Sequence, residues 1–394
     1  MTGEECLLLL LARRTFDSET AERARALATR SIEWSRVLDL AETHGVTPLV
    51  AANVAGSDGL GSPAEIRSAL DRARRFNSAK NLLAARLLGG VLASLGEIGV
   101  PAIPLKGVAL AESLYGDPGA RASSDVDVLL RVGDVRRAIE RFAAEGYARG
   151  AAEPDVGAQD FDLLIESNIE YVLAPQEWSG CPVELHWDIA WRWARDARAI
   201  DDLWAEARPG RFRGAVAWRL SPEWELIYLA VHAARHRWER LKWLVDVHEI
   251  CVRGEVNWPD ARARADRFGL GGALDTTLAV CRTLLDTPVP PGAAAGRLPP
   301  WLAVFPSRPE ALGVWSGAAY PARLFGRPSD KIRYLWRVLF RPTLAERRLV
   351  RLPAALRPLY YPLRPLRLAG KWSAGLVRGG LRRLETEPER APRS

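Results

Sequence analysis

Cysteine is scarce in this 394-residue chain: Cys6, Cys181, Cys251 and Cys281 lie far apart and form no Cys-x-x-Cys pair. That spacing excludes a zinc ribbon and a disulfide framework, and it fits a reducing cytoplasm. Long apolar runs are missing as well. The run Cys6–Ala12 is too short to span a bilayer and follows Glu4 and Glu5 rather than a basic stretch, so neither a signal peptide nor an anchor is expected. Histidine occurs only at positions 44, 186, 232, 236 and 248, and no zinc signature emerges. His232 and His236 have the i, i+4 spacing of a metal pair, but the glutamate of a metalloprotease helix is missing. Internal repeats are absent, and lysine is rare beside arginine.

With 48% hydrophobic residues the chain can bury substantial cores, enough for two or three domains. Residues 1–98 read as helices; Leu83, Ala84, Leu87, Leu88, Val91, Leu95 and Ile98 carry helical spacing. Residues 99–217 alternate strands and helices. Residues 218–286 are helical again, opening on Ser221-Pro222-Glu223, an N-cap followed by proline and an acid in the first turn. An apolar stripe at helical spacing follows: Ile227, Val231, Ala234, Trp238, Leu241 and Val245. The Pro/Gly-rich segment 287–320 reads as a linker, and 321–394 as a basic helical end.

The net charge of +7 is local. Residues 321–383 hold sixteen Lys or Arg against Asp330 and Glu346, while residues 1–320 are net acidic. Arginines interleaved with Trp, Tyr, Leu and Pro suit an anionic surface, whether lipid headgroups, nucleic acid or an acidic partner. The plainer alternative is a helical appendage whose arginine stems cover apolar side chains.

The richest segment is Leu105–Arg131. Pro101–Gly107 reads as a short strand breaking at Gly107, and Val108–Tyr115 as a helix burying Val108, Ala111, Leu114 and Tyr115. A loop then leads to a strand in which Asp125 and Asp127 share one face while Val126 and Val128 enter a core. Two carboxylates that close repel unless a cation lies between them, and oxygen ligands favour Mg²⁺ or Mn²⁺ over zinc. A helix starting at Gly107 turns free N–H groups toward any phosphate placed there. Phosphoryl or nucleotidyl transfer needs those two features side by side. Taken alone, Asp-x-Asp is often no more than a solvated strand entry.

Leu105-Lys106-Gly107, Arg121 and Asp125-x-Asp127 together resemble the nucleotidyltransferase superfamily with the polymerase-beta-like core, closest to its bacterial branch of uncharacterised nucleotidyltransferases. The chain departs from the usual pattern: Val108 follows the Lys-Gly turn where Gly-Ser or Gly-Gly is common, and the helix and loop before the aspartates are longer. The resemblance implies an α+β fold, a small mixed sheet with helices flanked by helical regions. It also implies a third carboxylate. Glu184, on the alternating strand Cys181–Ile189, is the choice, with Asp162, Glu166 and Glu170 as competitors. Lys106, Gly107 and Arg121 are the nucleotide-binding candidates; Arg121 either contacts a triphosphate or pairs with Asp117 or Asp125. His186, His232, His236 and Asp246 are candidates for the acceptor side, the alternative for the helical histidines being hydrogen-bonded packing.

The expected activity is attack by an acceptor hydroxyl or phosphate on the α-phosphate of an NTP, ATP included, with release of pyrophosphate. As the resemblance implies, Asp125 and Asp127 would hold two Mg²⁺ or Mn²⁺ ions, Glu184 would complete that site and assist deprotonation of the acceptor, and the acceptor is a small molecule, a protein or RNA. The protein is expected in the cytoplasm, peripheral to the membrane if the basic end binds lipid. Two rivals are a non-catalytic nucleotide-binding or interaction module, and a membrane- or nucleic-acid-surface protein acting through residues 321–383.

Overall fold

A computed structural model describes residues 1–151, 160–176, 180–191, 196–293, 296, 298 and 316–370. Much of the segment 287–320, and residues 371–394 of the basic end, lie outside the described residues. Four short helices open the chain: α1 (Gly3–Leu11), α2 (Ser18–Ala28), α3 (Trp34–His44) and α4 (Thr47–Ala55). Thr2 and Glu5 close a capping box on α1, which places the apolar run of Cys6–Ala12 in a buried helix. The 34-residue α5 (Ala64–Glu97) then carries the chain to the sheet.

The sheet is built from β1 (Ala102–Pro104), then α6 (Gly107–Leu110) continued by a π-turn at Ala111–Tyr115, and β2 (Val126–Leu130). It continues through α7 (Val135–Ala144), β3 (Ala148–Arg149), α8 (Phe161–Ser167), β4 (Glu170–Ala174) and β5 (Val183–His186). Strand order is β1-β2-β5-β4-β3, with β2 and β5 parallel and the other neighbours antiparallel. The architecture is therefore α+β with a small mixed sheet. After α9 (Ala197–Glu206), a hairpin of β6 (Arg208–Phe212) and β7 (Ala215–Arg219) stands beside β1.

The period-2 alternation splits the sheet between two cores. Val126, Val128, Leu130, Val183 and Leu185 pack with Leu88, Leu92 and Leu95 of α5 and with Phe142 of α7. Each such side chain contributes at most about 1.5–3 kcal/mol by leaving water. Ile103, Leu105 and Leu129 join a second core, shared by the N-terminal helices and by α10 (Pro222–Arg235), α11 (Leu241–Arg253), α12 (Trp258–Arg267) and α13 (Gly271–Leu285).

The apolar stripe from Ile227 to Val245 does not lie on one helix. The chain breaks between α10 and α11, where Arg237 and Trp238 take φ values of +54° and +57°. Trp238 stays buried by donating its indole N–H to Thr277 Oγ1 at 2.9 Å, a tertiary bond that overrides helical continuation. Ser221 caps α10 as its spacing implied, accepting from the Trp224 N–H.

The C-terminal part comprises α14 (Ser316–Leu324), α15 (Pro328–Phe340) and α16 (Leu344–Leu349), followed by helical turns to residue 370. Arg341 pairs with Glu166 at 3.1 Å and Arg347 pairs with Asp160, tying this part to α8 and the residue before it. Among the described residues no helix is long and apolar enough to cross a membrane.

Candidate active site

Past the end of β1 the chain turns at Gly107, whose φ of +64° falls in the left-handed region. A Cβ there would stand 3.2 Å from the Asp125 carbonyl oxygen, so the turn suits glycine on two counts. The turn sends the Lys106 ammonium onto two carboxylates. Its Nζ is 3.3 Å from Asp125 Oδ2 and 3.0 Å from Asp127 Oδ1.

Asp127 and Glu184 are register partners on the parallel strands β2 and β5, and Glu170 is the partner of His186 across β4 and β5. Register partners share a face, so all four side chains project toward α10 rather than into the core beneath α5. His186 ties them together: Nε2 lies 3.0 Å from Asp127 Oδ1 and 3.2 Å from Glu184 Oε2, while Nδ1 lies 3.3 Å from Glu170 Oε2. Arg235 of α10 reaches the same Glu170 oxygen at 3.5 Å.

Burial alone would push the His186 imidazole down, but its hydrogen bonds to Asp127 and Glu184, with their charges, carry it up to about 9. A charged imidazolium donates to these carboxylates and so orients them. Burial likewise opposes the Lys106 ammonium, yet Asp127 and Asp125 hold it charged. For Asp127 the burial penalty is outweighed by Lys106 and His186, which keep it well below the usual carboxylate range. Glu184 moves the other way: burial and the Asp127 charge raise it despite its hydrogen bond with His186.

Among the described residues Asp127, Glu184 and His186 form one group whose ligand atoms lie within 4.8 Å of one another. Asp125 stands outside that group and meets Lys106 instead. Four buried polar atoms here have no hydrogen-bond partner: Asp127 Oδ2, Ser123 Oγ, Tyr228 Oη and His232 Nε2. The charges of Lys106 and Asp127 act on both Tyr228 and His232, and Ser123 Oγ lies 3.9 Å from the Cβ position of Gly107. A cluster of desolvated, unpaired groups is expensive unless something else completes it. The oxygen-rich donor set fits a hard divalent cation.

Arg121 does not form the ion pair expected with Asp117 or Asp125. Its guanidinium grips Asp246 of α11 by three hydrogen bonds of 2.8–3.1 Å, and neither Asp117 nor Asp125 is its bonded partner. Tyr115 Oη donates to the same Asp246 at 2.8 Å. Asn77 and Asn81 of α5 donate to the carbonyls of Gly119 and Arg121, at 2.8 and 2.7 Å, and so pin the loop that precedes β2. Asp246 is therefore spent inside the protein. His232 and His236 lie against Trp243, with ring centroids 5.4 and 4.6 Å away, and burial lowers both imidazoles. Of the competitors for the third carboxylate, Glu170 reaches the site, Glu166 bonds Arg341, and Asp162 is exposed on α8.

Tyr228, Ser123 and Lys242 were not singled out from sequence. Tyr228 sits four residues before His232 on one helix face, a spacing that marks it as a neighbour. Ser123 immediately precedes the Ser124-Asp125 step. Lys242 Nζ donates to the Ala122 carbonyl at 3.3 Å, and burial lowers its ammonium to about 8; nothing local signals that long-range contact.

The family described as uncharacterised nucleotidyltransferase matches residues 30–286. Among solved structures, an antigenic nucleotidyltransferase-like protein from Paracoccidioides brasiliensis is similar over 54% of this chain and 96% of that one, with 16% identity and a TM-score of 0.35. No curated protein matches the chain.

Proposed function

The chain belongs to the uncharacterised nucleotidyltransferase family, and from that premise we propose that it moves an NMP from an NTP to an acceptor hydroxyl or phosphate, releasing pyrophosphate. One observation carries the reading: Asp127 and Glu184 stand side by side on parallel strands, and Asp127 keeps a buried oxygen with no partner. Mg²⁺ or Mn²⁺ would be held by Asp127 and Glu184 with Asp125 beside them, and when bound it supplies neutralisation of phosphate charge and polarisation of the α-phosphate.

The chain's own residues do the rest. His186 fixes the orientation of Asp127 and Glu184. Lys106 brings a permanent positive charge to phosphate oxygens, and the Gly107 turn lets them approach the backbone. Glu184, the carboxylate that burial makes more basic, takes the proton of the acceptor hydroxyl. Arg121 acts at one remove, through Asp246, by holding the loop in front of β2. This chemistry accommodates adenine or another base, and a small molecule, a protein or RNA as acceptor. A cytoplasmic setting suits an NTP-dependent reaction.

A second reading, a non-catalytic nucleotide-binding module, is favoured by Lys106 and His186, which already bring two positive charges to Asp127. Incubation with each labelled NTP, Mg²⁺ or Mn²⁺ and a cell lysate as acceptor pool separates the two. Transfer of label by the wild type, lost in Asp127→Asn and in Glu184→Gln while Glu184→Gln still binds NTP, supports the transferase. NTP binding without transfer by the wild type supports the module, and equal transfer by Asp127→Asn sinks the site assignment.

A further inference from the structure

α15 carries two apolar faces. Tyr334 and Val338 pack inward against Phe325. Ile332, Leu335, Trp336 and Phe340, spaced as one stripe, point outward, with Ile332 69% and Trp336 52% exposed. Ten of the eighteen exposed large apolar side chains among the described residues fall between Ile332 and Leu366. Such a concentration is unusual on a protein surface and calls for a partner.

Charge accompanies the stripe. Residues 321–370 hold twelve Lys or Arg, and the two acids among them are already engaged: Asp330 by Arg333, Glu346 by Arg364 and Arg367. Beside α15 a cavity of about 440 Å³ is lined by Arg198, Arg267, Arg327, Arg333 and Arg337, with Asp196 and Asp330 as its only acids. Arg198 pairs there with Asp196, Arg333 with Asp330 and Arg267 with Asp202, so the charge an anionic surface would meet is that of the whole segment 321–370, twelve Lys or Arg against two acids. A second copy docking through the same face would bring the same charge and be repelled. Nucleic acid would satisfy the arginines but leave the aliphatic Ile332, Leu335 and Leu366 unpartnered, since phosphate and sugar offer them nothing.

We propose that this face docks on an anionic lipid surface, with the α15 stripe sunk into the headgroup–acyl boundary and the basic side chains that flank it near lipid phosphates. The docking proposed is interfacial, since among the described residues no helix is long and apolar enough to span. The inference is independent of the transfer reading, because the stripe lies on a helix that contributes nothing to the Asp127 site.

Sedimentation of the full chain with phosphatidylglycerol vesicles and with phosphatidylcholine vesicles, at low and at high salt, tests it. Binding is expected to the anionic vesicles only and to weaken with salt. Ile332→Glu combined with Trp336→Glu, both exposed and so compatible with folding, is expected to weaken binding at least about tenfold, while Asp127→Asn binds like wild type. No sedimentation with anionic vesicles at low salt overturns the proposal. So does equal binding by the stripe variant, or tighter binding to RNA or duplex DNA that the stripe variant leaves unchanged. Loss of a dimer in the stripe variant, without vesicle binding by the wild type, overturns it in favour of self-association.

Discussion

Asp127 and Glu184 are direct register partners across the parallel β2–β5 pair, and His186 Nε2 bonds both carboxylates at 3.0 and 3.2 Å. The imidazole thus sets their separation and orientation. Asp127→Asn and Glu184→Gln are each expected to lower transfer at least about 10²-fold. His186→Gln, which keeps a donor but not the charge, is expected to lose less. Single-turnover transfer of labelled NMP checks the order, and His186→Gln falling as far as Asp127→Asn would show that the imidazolium does more than position.

Arg121 and Asp246 form a buried bidentate pair between the pre-β2 loop and α11, with Tyr115 bonded to the same carboxylate. Removing one partner leaves a charge buried alone. Arg121→Met is expected to destabilise the protein by about 3–5 kcal/mol, and Arg121→Met with Asp246→Leu to recover most of that loss. Urea unfolding measures both. Recovered stability with recovered NTP affinity marks Arg121 as structural; recovered stability without affinity would give the guanidinium a direct role at the nucleotide.

Much of this site follows from period-2 alternation, which is why Asp127 and Glu184 stand out in sequence, each flanked by buried valine or leucine. Which strand pairs with which is not local information. The β2–β5 register, the bond from Arg121 to a partner 125 residues away, and the pinning of its loop by Asn77 and Asn81 come from tertiary packing. The break between α10 and α11 escapes sequence reasoning for a related reason. Neither Gly nor Pro marks it, and the bond from Trp238 to Thr277 determines it across 39 residues. Tyr228 is marked in sequence by its i, i+4 spacing to His232, whereas Ser123 shows itself through its unpaired oxygen near the Gly107 turn.

Gly107 holds the turn between the strand end and α6 at a positive φ, with the Asp125 carbonyl oxygen 3.2 Å from where a Cβ would stand. Gly107→Ala is expected to cost about 1–2 kcal/mol from the left-handed backbone alone. Relief of the contact must move Asp125 or Lys106, so NTP affinity should fall beyond what the stability loss explains. Thermal melting together with nucleotide titration of the folded variant reads both effects, and a stability loss with unchanged affinity would separate the turn from the nucleotide.

His44 and His248 are buried away from the acidic cluster and give the protein an acid-sensitive stability. His44 Nδ1 accepts the Leu241 N–H at 3.3 Å, and His248 Nδ1 lies 2.9 Å from Thr287 Oγ1. Burial lowers each to about 4, with Arg240 adding to the effect at His44 and Arg13 at His248, while Glu5 and Asp286 oppose it. In the unfolded chain both titrate near 6.5, so as the pH falls the unfolded state takes up protons first. Their contribution is complete above about 6.5 and is lost progressively toward pH 4, by up to about 3 kcal/mol for each. Carboxylates with depressed values add their own loss only below about pH 5. His232 and His236, lowered by burial as well, decline over the same interval, while His186, raised to about 9, and Glu225, raised to about 7 by burial, work against the decline, so the two histidines are read from a difference between proteins. Urea unfolding at pH 7.5, 6 and 5 should therefore show wild type losing stability relative to His44→Gln with His248→Gln as the pH falls, and parallel pH profiles in the two proteins would assign the dependence to other groups.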